Sequence, residues 1–455
     1  MIQTHWQARL DDLARDTHVP GAVLGILQLH DDGPDELVRL ATGTANLNTN
    51  RAVTTGTLFQ IGSITKTWTA TLTMQLVDEG RLGLDDRVVD ILPGFRLSTD
   101  ELTYGVTIRH LLNHTSGVDG DVFVDTGRGD DCLEKYLTVL QQVVQIHPVG
   151  AAWSYCNAGF SILGRIIEVM TGQVWDAAIR ERLYTPLALA HTATLPEDVL
   201  LWDAALGNLG GADPTPAPVW MLQRNAGPAG LVTTDVADLL AFARLHLADG
   251  VAADGTRVLS AESARLMRTP SVTLPATEGR PDAWGLGFSL SDWGGVPAVG
   301  HDGSTLGQQA YLRFFPGAGL AIALLTNGSD SQRLYHTLFG EIAADLAGAT
   351  IPPLLALPDD PPVLRITEWV GRYERASIAV NIVDDPAGPL FCTTALDEVT
   401  AYEQGAHQEY RLHPVREGLW AIPMPSGLNR PVRFSRDEAG NRYLHADGRT
   451  TRAVR

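Results

Sequence analysis

Gly62-Ser63-Ile64-Thr65-Lys66-Thr67-Trp68 is the stretch that decides how this chain is read. A serine followed three residues later by a lysine, at the head of an apolar-striped run, puts both side chains on one helix face. Ile64, Trp68, Leu72 and Leu76 recur every four residues and give that helix a core-facing stripe, which Gly80 ends. Ser63 then stands at the helix N-terminus, where unpaired N–H groups and the positive dipole end favour negative charge. The same dipole, with partial burial, disfavours a protonated Lys66, so its amine can take the serine proton near pH 7. Serine–lysine pairs of this kind are an alternative to Ser-His-Asp. Alone, the pattern also fits a helix cap followed by a solvated lysine. Composition sharpens it, because lysine occurs only at 66 and 135 among 34 basic residues.

The chain has 455 residues, enough for two domains. Its 44% hydrophobic and 19% charged content is that of a soluble globular protein. A net charge of −19 with no basic stripe argues against nucleic acid and anionic membrane as partners. The opening Met1-Ile2-Gln3-Thr4-His5-Trp6 has no basic n-region or cleavage site and runs into Leu10, Leu13 and Ala14 as an amphipathic helix. No apolar run reaches transmembrane length. Cys132, Cys156 and Cys392 are odd in number and scattered, so no disulfide framework is expected. These features predict a cytoplasmic location.

Gly21–His30 and Glu36–Thr42 read as two strands around an Asp31-Asp32-Gly33-Pro34 turn. From about Asp85 to Arg280 helical periods dominate, at Thr107–Asn113, Cys132–Ile146, Asn157–Met170 and Thr234–Leu247. Strand patterns return at Gly285–Leu290, Val296–Gly300, Gln308–Phe315 and Leu320–Thr326, followed by a helix over Ser331–Leu346. Strands at both ends of a helical segment predict an α+β domain over 1–349, with one sheet built from distant parts and a helical lobe inserted. Residues 350–363 are proline-rich and read as a semi-rigid linker. Beyond them, 364–455 carries short β-like runs at Glu368–Glu374, Ser377–Val383, Gln408–His413, Leu419–Pro423, Val432–Ser435 and Arg442–His445, the texture of a small antiparallel barrel or meander.

Two further motifs follow Ser63-x-x-Lys66: Tyr155-Cys156-Asn157 and His301-Asp302-Gly303. Taken singly, the first reads as a helix entry and the second as a turn between strands. In this order and spacing the three resemble the penicillin-recognising serine enzymes: class C β-lactamases, DD-peptidases and their esterase relatives. The resemblance spans roughly residues 5–347 and includes Leu111-Leu-Asn-His-Thr-Ser-Gly117 and Ala229-Gly230-Leu231, just before Thr234-Asp235.

The resemblance implies that Ser63 is the nucleophile of an acyl-enzyme. Lys66 and Tyr155 share the proton traffic, and which is the formal base stays open at this level. Asn157 is expected to hydrogen-bond Lys66 or the substrate amide. The backbone N–H groups of Ser63 and Ser304 form the implied oxyanion hole, each donor worth roughly 3 kcal/mol of transition-state stabilisation. Gly303 and Gly230 are implied to border the substrate. His301 replaces the lysine that many β-lactamases and DD-peptidases carry. A histidine of ordinary pKa is mostly neutral at pH 7, so an ester, thioester or amide suits the site better than a substrate read through its carboxylate. Cys156 lacks an adjacent base and is rejected as a nucleophile. No Cys/His zinc spacing, P-loop or dinucleotide fingerprint is present, so no metal and no cofactor is expected.

The missing export signal, the His301-Asp302-Gly303 motif and the appended β-rich region together resemble the penicillin-binding-protein-type thioesterases of nonribosomal peptide pathways, the surugamide and ulleungmycin cyclase type. That resemblance implies a lipocalin-like C-terminal domain near the active-site mouth. It also implies head-to-tail macrolactamisation of a linear peptide held as a thioester on a carrier protein or small thiol, with carrier docking, and preference for a D-configured or glycine C-terminal residue. Arg449, in Asp447-Gly448-Arg449, is a candidate to reach the mouth, an exposed barrel-edge arginine being the bland alternative. Trp153, Trp220, Trp284 and Trp293 are candidates for pocket surface. A hydrolase on the same scaffold, such as a D-stereospecific peptidase, esterase or β-lactamase, and a non-catalytic binding protein are the other classes considered.

Overall fold

The computed structural model describes residues 2–30, 33–328 and 331–454. The expected turn at Asp31-Asp32 lies outside the described residues. The elements used below are α1 (Ile2–Asp16), β1 (Gly21–Gln28), β2 (Glu36–Asn46), β3 (Arg51–Ala52), α2 (Thr65–Asp78), α3 (Cys132–Leu140), α4 (Asn157–Thr171), α5 (Val236–Leu247), β4 (Val272–Thr273), β5 (Ala283–Trp284), β6 (Ser289–Asp292), β7 (Pro297–Thr305), β8 (Gln308–Phe315), β9 (Leu320–Thr326) and α6 (Gln332–Ala347).

β1 pairs on one side with its chain neighbour β2 and on the other with β9, nearly 300 residues along. That closes a nine-stranded antiparallel sheet in the order β3-β2-β1-β9-β8-β7-β6-β5-β4. Alternate side chains serve opposite faces, as the pleat requires. Ala22, Leu24 and Ile26 pack with Trp6 and Leu10 of α1 and with Phe339 and Ile342 of α6. Val23 and Leu27 share the other core with Trp68 of α2 and Leu240 of α5. Both faces being covered, β1 and β9 read as continuous apolar runs. Between β3 and β4 lies the helical lobe.

α2 departs from the expected one-sided stripe, because every residue from Thr65 to Leu76 is buried. Its polar residues tolerate this by finding partners: Thr69 donates to the Pro228 carbonyl at 2.7 Å, and Thr71 lies 3.1 Å from His246 Nε2. The helix expected over Cys132–Ile146 stops at Leu140, where the chain turns so that Gln145 bridges to Val118. The run Gly285–Leu290 is no single strand: the backbone breaks between β5 and β6. The His301-Asp302-Gly303 motif sits inside β7, not in a turn.

The stretch 350–363 holds no helix or strand, and its first half is pinned at two points. Ile351 packs with the apolar face shared by α1 and α6, whereas Leu355 packs on Leu419 and Ala421 and its carbonyl accepts from Asn429. The remaining elements are β10 (Gly371–Arg375), β11 (Ile378–Val383), β12 (Leu390–Ala395), α7 (Glu398–Gln404), β13 (His407–Arg411), β14 (His413–Arg416), β15 (Leu419–Pro423), β16 (Asn429–Arg436), β17 (Arg442–Ala446) and β18 (Arg449–Ala453). Their order is β13-β12-β11-β10-β18-β17-β16-β15-β14, and β13 comes back alongside β15, so the sheet curls into a nearly closed barrel. Tyr373, Val380, Phe391, Trp420 and Val432 fill it. Strands β12, β14 and β18 and helix α7 were absent from the sequence expectation. Among the described residues no helix is long and apolar enough to cross a membrane.

Candidate active site

Ser63 occupies the single tight turn Gly62–Ile64 that leads into α2. Two glycines let β7 lie directly on that turn. A Cβ on Gly303 would come 1.8 Å from the Ile61 carbonyl oxygen, and one on Gly62, whose φ is +48°, would come 2.6 Å from Ser304 N. No side chain fits between these backbones, so the Ser63 and Ser304 main chains face each other across the site, the placement an oxyanion hole needs.

Lys66 lies one turn along, its Nζ 3.0 Å from Ser63 Oγ and 2.6 Å from the Ala229 carbonyl, to which it donates. The side chain is wholly buried, more completely than the sequence implied. Burial drives its pKa well below 10.5, and the positive charge of Arg449 adds to that, against the pull of Asp121. The shift favours the neutral amine, whose lone pair can face the Ser63 hydroxyl while one N–H is spent on Ala229. Tyr155 bears its hydroxyl against Ser63 and 3.4 Å from His301 Nε2, and its ring lies 5.0 Å from Lys66 Nζ. Burial raises the phenol well above 10, so it keeps its proton at neutral pH. Both shifts favour Lys66 over Tyr155 as the group that accepts the Ser63 proton.

His301 is buried, with Nδ1 2.5 Å from the Asp302 carbonyl, which leaves Nε2 to accept from Tyr155. Burial, assisted by Lys66, lowers it to about 3. It is neutral, as expected, through desolvation and not through an ordinary pKa. Of the two partners expected for Asn157, Lys66 is not the one it meets, and as part of the cleft lining it stays placed for a substrate amide. It donates to Asp121 Oδ1 at 2.6 Å, and Lys66 takes Ala229 in its place.

Asp121 is the centre of what the sequence reading missed. Buried in the helical lobe, it accepts from Asn157, from Arg375 of β10 and from Arg449 of β18, the last through Nε at 3.0 Å. Burial pushes this carboxyl up, but the two arginines together bring it well below the usual carboxylate range. Asp119 beside it accepts from Ala376 N at 2.6 Å. Arg449 therefore reaches the site as a half-buried group, with its guanidinium 4.8 Å from the Tyr155 ring centre. The Asp447-Gly448 turn ahead of it is tied in as well: Tyr155 N donates to Gly448 O at 2.9 Å and Thr450 N to Ser154 Oγ at 3.1 Å.

Between barrel and catalytic lobe opens a cleft of about 1190 Å³, with Ser63, Gly230, Trp153, Trp284 and Trp293 on its walls. Trp220 is not among its lining; it packs against Leu58, Ala193 and Val199. Cys156 caps α4 by accepting from Gly159 N, and burial raises its thiol to about 12, which leaves it inert. One group with metal-ligand chemistry assembles elsewhere, His191 with Asp235 and Asp238, but Asp235 caps α5 and Asp238 accepts from His191 N and Thr192.

The Beta-lactamase family model matches residues 6–345. Penicillin-binding protein 4 of Amycolatopsis lactamdurans is 50% identical over 375 residues, 82% of this chain and 97% of that protein. The D-aminopeptidase of Cereibacter sphaeroides (strain ATCC 17023) is 26% identical over 441 residues, 93% of this chain and 77% of that one. Among solved structures, SurE aligns with a TM-score of 0.77 at 28% identity over 99% of each chain, and with 0.76 when solved with D-Leu.

Proposed function

This chain belongs to the Beta-lactamase family, and from that premise we propose that it releases a linear peptide from a thioester by head-to-tail macrolactam formation. The coarser statement, a serine acyl-enzyme hydrolase or transferase, follows from the family and from likeness to SurE and to D-aminopeptidases.

Ser63 Oγ attacks the thioester carbonyl while its proton passes to Lys66, and the oxyanion is held by the Ser63 and Ser304 N–H groups. As the C–S bond breaks, the thiol leaves with a proton delivered through Tyr155. The peptide's own N-terminal amine then attacks the Ser63 ester, loses a proton to Lys66 and closes the amide as Ser63 Oγ is reprotonated. Acylation of a thioester needs little leaving-group help, so the outcome depends on excluding water and on the effective concentration of the amine.

One observation carries this reading. The barrel's Asp447–Thr450 segment is hydrogen-bonded to Ser154 and Tyr155, which makes the second β unit a wall of the acylation cleft. Match to SurE over both whole chains supports the same arrangement, and its complex with D-Leu supports a D-configured (or glycine) C-terminal residue. The thioester is proposed to arrive on a carrier protein or small thiol, in the cytoplasm.

Hydrolysis is the second reading, favoured by the likeness to the D-aminopeptidase of Cereibacter sphaeroides. Incubation with a linear peptidyl thioester ending in a D-residue separates the two by product mass. Cyclic product is expected, and linear acid alone would replace this proposal by the hydrolase. Ser63→Ala abolishes the adduct in either case.

A further inference from the structure

The cleft is lined by five carboxylates, and four of them face an arginine: Asp121 with Arg375 and Arg449, Asp302 with Arg313, Glu278 with Arg416, and Asp447 with Arg280 and Arg430. Glu403 is the fifth. It projects from α7, open to cleft water, and among the described residues no hydrogen bond or ion pair reaches its carboxyl. It lines the same cleft as Ser63, Tyr155 and Arg449.

We propose that Glu403 is a binding residue for a primary ammonium, the free N-terminus of a peptide whose other end is carried at Ser63. This inference rests on the acyl-transfer reading and adds the group that recognises the acceptor end. Four satisfied acids and one unsatisfied one leave a single place on the cleft wall where a cationic ligand gains an anionic partner without displacing an arginine. α7 also places the group well. It follows β12 and precedes β13 in the barrel, and its Glu403 lines the same cleft as Ser63, so one peptide can meet both. An N-acylated peptide, with no charge at that end, has nothing to offer Glu403.

The test separates this from the cyclase proposal by reading binding without turnover. In full-length Ser63→Ala protein, a linear hexapeptide amide ending in D-leucine and its N-acetyl twin are titrated by calorimetry. The free-amine peptide is expected to bind roughly five- to tenfold tighter, and Glu403→Gln on the same background to remove that difference, with Glu403→Asp restoring part of it. Equal affinity of the two peptides, a difference that survives Glu403→Gln, or no binding of either overturns the inference. Absence of cyclic product from the wild-type enzyme, with this binding difference present, would instead reject macrolactamisation alone.

Discussion

The guanidinium of Arg449 lies 4.8 Å from the ring centre of Tyr155, and the two residues come from opposite ends of the chain's architecture. Tyr155 enters α4 in the catalytic lobe, and Arg449 opens the last strand of the barrel. The barrel thereby adds a positive charge beside a base that works only when uncharged. Burial is the larger influence on Lys66, but Arg449 pushes the same way. The C-terminal unit thus bears on the charge state of Lys66 as well as lining the cleft.

Removing that charge has a signed consequence. In Arg449→Met the pKa of Lys66 rises, so the acid limb of Ser63 acylation moves to higher pH. The rate of adduct formation with a peptidyl thioester, followed by intact-protein mass across pH, measures it. An unmoved limb would separate Arg449 from the base.

Lys66 trades stability for function. Between its lowered folded value and 10.5 it is neutral when folded and protonated when unfolded. Unfolding therefore takes up a proton, and the wild type gains stability as pH rises through that window. Lys66→Met abolishes acylation by about a thousandfold or more, yet stabilises the fold at pH 7 by about 1–3 kcal/mol. That advantage shrinks toward pH 10.5, and thermal melts of the two proteins at several pH values test it.

The site's close backbone contact predicts a sharp loss from a single methyl. Ala at 303 puts a Cβ where the Ile61 carbonyl oxygen stands, 1.8 Å away, so β7 has to retreat from the Ser63 turn. Parting the Ser63 and Ser304 N–H groups in Gly303→Ala is expected to lower acylation about a hundred- to a thousandfold while the far-ultraviolet circular dichroism spectrum is unchanged.

Much of this site was legible because its parts are local or carried by short motifs. Ser63 and Lys66 lie one turn apart on one helix, so spacing alone places them together. Strands β1, β8 and β9 announced themselves as apolar runs bounded by turn residues. The Asp121–Arg375–Arg449 cluster left no such trace. Its members lie on three segments far apart in the chain, and nothing in the neighbours of an aspartate says which arginines will surround it. That same cluster explains why Asn157 does not meet Lys66. A buried carboxylate 2.6 Å away holds its amide, and Lys66 turns to the Ala229 carbonyl. Helix α7 was unread because seven residues starting from an Asp397 cap carry too little periodicity to stand out from a turn.

Asp121 supplies the counter-experiment to Arg449. It raises the Lys66 pKa where Arg449 lowers it. Asp121→Asn therefore moves the acid limb of acylation to lower pH, opposite to Arg449→Met. It also leaves Arg375 and Arg449 without their carboxylate, a loss of about 3–5 kcal/mol that lowers the melting temperature. Combining the two removes one charge of each sign from the same contact. The limb should return close to its wild-type position, and the double variant should be more stable than the sum of the single losses. Limbs that move in the same direction in both single variants would show that the titrating group is not a lysine read by these two charges, and the assignment of Lys66 as base would fall with it.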